Sequence, residues 1–262
     1  MSQLNRFLLG CLLMLTSLSP LGLGQSADER PTPDQEKADD KLLRLILKVR
    51  KSHFDPLLGQ SAIPALRQAF ASAADEFTKL NLANVLMLYG QKDDAYWSVL
   101  YKQAQEIVDS SVPYPLVFDE NGKSIRGALS PEFLQWVKDQ NVSKYEAVQK
   151  QLGVFPVEFS MMAEVGDPRG LPLLRKGLTS PNFTLRMMAA RGLAILGDKD
   201  SISSIIQAAR TAPSEAQPLI ALPLLAFDDS SAREATKELI IDKKLLESEK
   251  KILQEKGPRG VW

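Results

Sequence analysis

Few residues of this chain are of a type that could carry chemistry. His53 is the one histidine and Cys11 the one cysteine in 262 residues. One imidazole cannot assemble a multi-histidine metal site. His53 also ends an apolar-periodic stretch that begins near Asp40, where a polar helix end needs no functional explanation. The run Asp119-Glu120-Asn121 offers oxygen ligands, but it lacks the alternating spacing and closing glutamate of a calcium loop. No Cys–His pair, phosphate-cradling glycine loop or nucleophile elbow occurs. Carboxylates are abundant, yet lysines four residues away on helices account for most of them. The expectation is therefore no catalytic, cofactor-binding or metal-binding residue, with a carboxylate pair as the only conceivable catalyst. What remains is a group of aromatics, Tyr114, Phe118 and Trp136, as candidate partner-binding residues, because such rings anchor interfaces.

Composition bounds the class. Apolar residues make up 44% of the chain, as in a folded protein with a substantial core. Basic and acidic residues number 32 each, so no excess of positive charge points to nucleic acid or an acidic membrane surface. The first residues, "MSQLNRFLLGCLLMLTSLSPLGLGQS", hold Arg6, an apolar run from Phe7 to about Leu18, then Ser19-Pro20 and small residues at Gly22 and Gly24. That order predicts a secretory signal over residues 1–24, cleaved after Gly24, with Ala27 as the alternative. The apolar run is shorter than the ~20 residues a membrane span needs, and nothing else is apolar enough to cross. Leu8-Leu9-Gly10-Cys11 loosely fits a lipid-attachment box, but the apolar run continues beyond Cys11, and both readings stay open. Cleavage leaves 31 basic and 32 acidic residues and no cysteine, so packing alone would stabilise the mature chain. Residues 25–40, "QSADERPTPDQEKADD", are predicted to be a disordered polar leader.

The elements that must position the aromatics repeat. Gly59 to Gly90, Gly166 to Gly197 and Gly197 to Asp228 are each 31 residues apart, whereas Gly90 to Gly166 spans 76, two periods and 14 more. Seven, four and one residues before the last four markers stand Ala83, Leu86 and Tyr89; Phe159, Met162 and Val165; Ala190, Leu193 and Leu196; Ala221, Leu224 and Phe227. All twelve are apolar and share one helical stripe. The set before Gly59 (Ser52, Asp55, Leu58) does not fit, so the repeat is expected to begin after it. Following the markers, Ile63, Leu66 and Phe70, then Leu171, Leu174 and Leu178, then Ile202, Ile205, Ile206 and Ala209 form a second stripe. Each unit reads as helix, turn, helix and joint. Glycine ends a helix by accepting the left-handed backbone, and Asp167-Pro168 or Asp198 can start the next.

Residues 167–198, "DPRGLPLLRKGLTSPNFTLRMMAARGLAILGD", resemble a HEAT repeat of the short, phycobilin-lyase-like type. The resemblance lies in Asp167-Pro168, the leucines at 171, 173, 174 and 178, Pro181, Arg186, Ala189-Ala190, Leu193 and Leu196-Gly197-Asp198, with weaker matches over 60–90 and 198–241. It implies that Gly90, Gly166, Gly197 and Asp198 are structural and that Arg186 braces the turn between neighbouring units. Lys79 and Gln217 stand at the same distance before Gly90 and Asp228. Deoxyhypusine hydroxylase is similar in repeat type, but its activity relies on His-Glu pairs that this sequence lacks. A bilin-lyase role fits poorly with a secretory signal.

The period breaks at 110–131, "SSVPYPLVFDENGKSIRGALSP". Asn121-Gly122 between short apolar runs predicts a β-hairpin, either a patch on the stack or a recognition element. "SAREATKELIIDKKLLESEKKILQEKG" reads as a charged closing helix, with a coiled-coil partner helix as its alternative, and Trp262 ends a short tail. The predicted fold is all-α: a solenoid of stacked antiparallel helix pairs with a small β-hairpin insertion. Its segments are N-terminal repeats over 41–109, the insertion over 110–131, C-terminal repeats over 132–241 and a closing helix end and tail over 242–262. The expected function is a secreted or periplasmic, non-enzymatic scaffold for a protein partner in the envelope or exterior. The alternative is a carbohydrate or cell-envelope attachment module that uses the aromatics.

Overall fold

The chain alternates apolar helices with joints, and the helices stack in two rows. A computed structural model of the chain describes residues 56–121, 124–144 and 157–258. Cys11, the predicted signal and leader, His53, Gly122 and Trp262 lie outside the described residues. The elements are α1 (Pro56–Ser72), α2 (Glu76–Leu88), α3 (Asp94–Asp109), β1 (Leu116–Phe118), β2 (Ser124–Leu129), α4 (Pro131–Asp139), α5 (Val157–Val165), α6 (Leu171–Gly177), α7 (Phe183–Leu196), α8 (Ile202–Arg210), α9 (Gln217–Ala221), α10 (Ser230–Leu239) and α11 (Lys243–Lys256). Short 3-10 turns at Pro168–Gly170 and Lys199–Ser201 lead into α6 and α8, and another at Leu222–Ala226 extends α9. This is an all-α solenoid with one two-stranded sheet among the described residues.

Packing follows the predicted stripes. The pairs α1/α2, α3/α5, α6/α7 and α8/α9 each pack together. Helices α2, α5, α7 and α9 then touch in sequence as one row, while α3 packs on α6, and α8 on α10, in the other. Of the twelve stripe residues before the joints, all but Tyr89 and Leu196 are buried. The rows approach closely at Gly192 in α7. A Cβ there would lie 2.6 Å from Leu174 Cδ2 and 2.9 Å from Ala163 Cβ, so only glycine lets α5, α6 and α7 meet. Helices α10 and α11 both pack on the 3-10 turn at Leu222–Ala226 and close the array.

The joints use the backbone that the glycines allow. Gly90, Gly166 and Gly197 have φ of 75°, 64° and 66°. At Gly197 the amide donates to Ala194 O at 3.1 Å, and the next amide, of Asp198, donates to Leu193 O at 3.0 Å. Those two bonds satisfy carbonyls left open at the helix end. The Asp228 joint is different: the 3-10 turn ends at Phe227 in extended backbone, with φ −97°. Gly257, with φ 69°, closes α11 and falls outside the 31-residue count.

The long interval from Gly90 to Gly166 departs from the expected two periods. Among the described residues it holds one packed pair, α3 and α5, with the surplus between those two helices in the sequence. Within that surplus β1 and β2 pair antiparallel, Leu116 opposite Leu129 and Phe118 opposite Ser124, with a register shift between. The backbone amide of Ser130 donates to Pro115 O at 2.9 Å. Its hydroxyl donates to Tyr114 O at 3.1 Å and caps α4 by accepting from the Phe133 amide at 3.1 Å. Phe133 and Val137 are buried together, with Leu129 and Trp136 packed against them, so the hairpin and α4 share a small core of their own.

Candidate functional site

The insertion aromatics separate into two groups. Tyr114 lies 3.9 Å, centroid to centroid, from Phe183, the first residue of α7. Phe118 lies 6.0 Å from both Tyr114 and Phe183. Trp136 instead stacks on Phe133 at 5.7 Å inside the insertion core. The structure therefore does not bring Tyr114, Phe118 and Trp136 to one surface. Two of them meet a ring of the repeat array, and one packs within the insertion. Burial raises the Tyr114 phenol above its usual range, and the nearby Glu215 carboxylate adds to this. Phe183 carries no sequence signal of its own, because only the hairpin's position gives it Tyr114 and Phe118 as neighbours.

One helical turn along α7 from Phe183 stands Arg186. Its Nε donates to Ser180 O at 2.5 Å, and its Nη1 to Thr211 Oγ1 at 3.1 Å and Ala208 O at 3.5 Å. The guanidinium thus joins the α6–α7 turn of its own unit to the end of α8 in the next, the geometry of a brace. Gln217 keeps the first half of this pattern, donating through Nε2 to Ala212 O at 3.1 Å. Burial lowers the basicity of Arg186, with no acid acting against it. Arg186 also lines an open cleft of about 420 Å³ between α6 and α8, with Arg175, Thr179, Ser204, Gln207 and Thr211 among its walls.

Asp198 does something other than cap the following turn. Its side chain makes no cap bond. The carboxylate accepts from Arg175 Nε at 3.0 Å and Nη2 at 2.7 Å, and from Ser201 Oγ at 2.5 Å. Arg175 belongs to α6 and Asp198 opens the turn into α8, so the pair ties one unit to the next. The Arg175 bonds, helped by Ser201, hold the Asp198 carboxyl below the usual carboxylate range. Asp167 does cap, accepting from the Arg169 amide at 3.0 Å. Arg169 then reaches Asp94 at 2.8 Å and lies over the Trp97 ring at 4.8 Å. Lys176 pairs with Asp109 and Arg210 with Glu238. Consecutive outer helices are therefore linked by exposed ion pairs. These give orientation and little energy, because solvent screens them.

Among the described residues no cluster of three or more histidine, cysteine, aspartate or glutamate side chains could hold a metal ion. Burial raises the carboxyls of Glu158 and Glu249 above their usual range, but they belong to α5 and α11. No helix of the described residues is long and apolar enough to cross a membrane.

No curated protein and no solved structure matches the chain. Residues 131–221 match the model of a family described as HEAT repeats. That stretch runs from α4 to α9 and contains Phe183, Arg186 and the cleft. With its stacked pairs and left-handed glycine joints, the stretch 131–221 is similar to HEAT repeats.

Proposed function

We propose that this protein is a non-enzymatic, protein-binding scaffold that works in the periplasm or outside the cell. HEAT repeats are generally protein-interaction scaffolds, and the matched repeats within a two-row helical stack carry this reading. Stacked helix pairs present a long surface that no compact domain of this size offers. The order of charged, apolar and small residues over 1–24 supports export. Tyr114 and Phe118 are engaged with Phe183, which favours a protein-facing scaffold over attachment to carbohydrate through free rings.

The test is capture of the tagged, full-length chain from the envelope fraction with a short crosslinker, followed by mass spectrometry. A defined envelope protein should be recovered at constant stoichiometry, and N-terminal sequencing of the mature chain should begin at Gln25. Recovery of the chain alone from that fraction would refute the scaffold. An intact Met1 on cytoplasmic material would refute export.

A further inference from the structure

The cleft between α6 and α8 holds a positive charge that the fold leaves unmatched. Six arginines lie between residues 166 and 240. Five of them face a carboxylate within 4.0 Å: Arg169, Arg175, Arg191, Arg210 and Arg233. Arg186 is the exception among the described residues. Its partners are two carbonyls and a hydroxyl, all neutral. Nε and Nη1 are engaged by them, whereas the two N–H groups of Nη2 have no acceptor among the described residues. A half-buried guanidinium with spare donors attracts an anion strongly, because charge-assisted bonds gain in a partly desolvated site.

The walls suit such a guest. Thr179, Ser204, Gln207 and Thr211 line the cleft with hydroxyl and amide groups. Ser204 and Gln207 can donate to a carboxylate, whereas the Thr179 and Thr211 hydroxyls already donate to Lys176 O and Gln207 O. Arg175, the other arginine on the wall, is already held by Asp198. Asp200 stands at the rim, 90% exposed and 3.8 Å from Arg175. That rim acid repels a dianion more than a monoanion, so a carboxylate fits better than a phosphate. The cleft is open rather than enclosed, which suits one side chain of a longer chain lying across the outer helices.

We propose that this cleft seats the carboxylate of an aspartate or glutamate side chain on an extended segment of the partner protein, with Arg186 as its counter-ion. The assignment rests on the scaffold reading and names the chemistry of its partner. Phe183, one helical turn before Arg186 on α7, meets the Tyr114 and Phe118 rings, which are not among the walls of the cleft.

The experiment uses the full chain and fluorescein-labelled hexapeptides of glutamate or glutamine, read by anisotropy at low salt. The glutamate peptide should bind at least about tenfold tighter than the glutamine peptide, the effect of one charge-assisted contact. Ser204→Asp puts a carboxylate into the cleft from an exposed position on α8. It should weaken glutamate-peptide binding about tenfold or more and raise the melting temperature, since Arg186 gains an internal partner. Ser248→Asp, an equal charge change on the exposed face of α11, should do neither. Equal binding of the two peptides, equal effects of the two substitutions, or tighter binding of a phosphoserine hexapeptide would each overturn the assignment. The peptide arm decides the cleft whatever envelope capture gives. A native partner captured by a chain that ignores the glutamate peptide leaves the scaffold standing and removes the cleft.

Discussion

Replacing Arg186 with methionine removes the guanidinium while keeping most of the apolar stem, so it isolates the brace from packing. The side chain makes three hydrogen bonds, to Ser180 O, Ala208 O and Thr211 Oγ1. A hydrogen bond from a charged donor contributes roughly 1.5–3 kcal/mol when buried. Arg186 is only half-buried, so solvent screens part of this. Removing a cation whose ionised form burial disfavours returns some of the loss. The expected net cost is therefore about 2 kcal/mol, well below three full bonds. Urea unfolding followed by circular dichroism measures it. Because the bonds cross from one unit to the next, the variant should also show a lower slope, as the two halves of the array begin to unfold separately. Arg210→Met removes an exposed pair with Glu238 and is the control; its effect should be too small to resolve. Thr211→Val combined with Arg186→Met should show positive coupling of about 0.5–1 kcal/mol. If Arg186→Met and Arg210→Met unfold at the same urea concentration, Arg186 is no brace.

Gly197→Ala has no neighbour within 4 Å to meet, so its cost of about 1–2 kcal/mol comes from the left-handed backbone alone; an unchanged urea midpoint would refute the joint. Glu249 is 3% exposed, and its Oε2 has no hydrogen-bond partner among the described residues, so Glu249→Leu should stabilise the chain by about 1–2 kcal/mol at pH 7. Burial raises the Glu249 carboxyl, which means the folded state binds its proton more tightly; the wild-type chain loses stability as pH rises through that range, and the advantage of leucine should shrink on acidification. A gain that stays constant down to pH 3 would contradict this. Asp198 has the opposite sign: its depressed carboxyl stabilises the fold above its ordinary value near ~3.9 and loses that contribution as pH falls through the folded value. Urea midpoints measured from pH 5 to pH 2 should therefore fall more steeply for wild type than for Asp198→Asn, and parallel curves would sink the linkage.

The array was legible because its determinants are local. The apolar stripes before Gly90, Gly166, Gly197 and Asp228 are set by three-residue spacing, and all but two of their members are buried. The glycine joints follow from one backbone conformation. Arg186 was legible only through the resemblance to a HEAT repeat, since Lys79 and Gln217 hold the same place before Gly90 and Asp228. What the sequence concealed is non-local. Asp198 reads as a cap because it follows a helix end, and only the stacking of α6 against the next unit gives Arg175 to it instead. Phe183 looks like any apolar residue opening a helix until the hairpin brings Tyr114 onto it. The sequence places the insertion at 110–131, where the hairpin lies. Helix α4 packs with it, but reads as part of the repeats because it carries the same amphipathic signal as a repeat helix.

That place has a physical consequence. Helices α3 and α5 pack directly on one another, so the chain leaves the stack after Asp109 and returns at α5 without breaking either row. An excursion whose two ends are already held together adds little loop-closure entropy, since that cost grows only with the logarithm of length. The stack therefore sets no strong limit on what the insertion contains. What holds the insertion in register is instead its contact with the repeats, through Tyr114 and Phe118 against Phe183. Phe183 opens the helix that carries Arg186. A segment anchored there cannot shift without disturbing the first turn of α7. The rings that fasten the insertion thus bear on α7 one turn from Arg186, which ties the hairpin to the one arginine of α6–α10 that the fold leaves without an acid among the described residues.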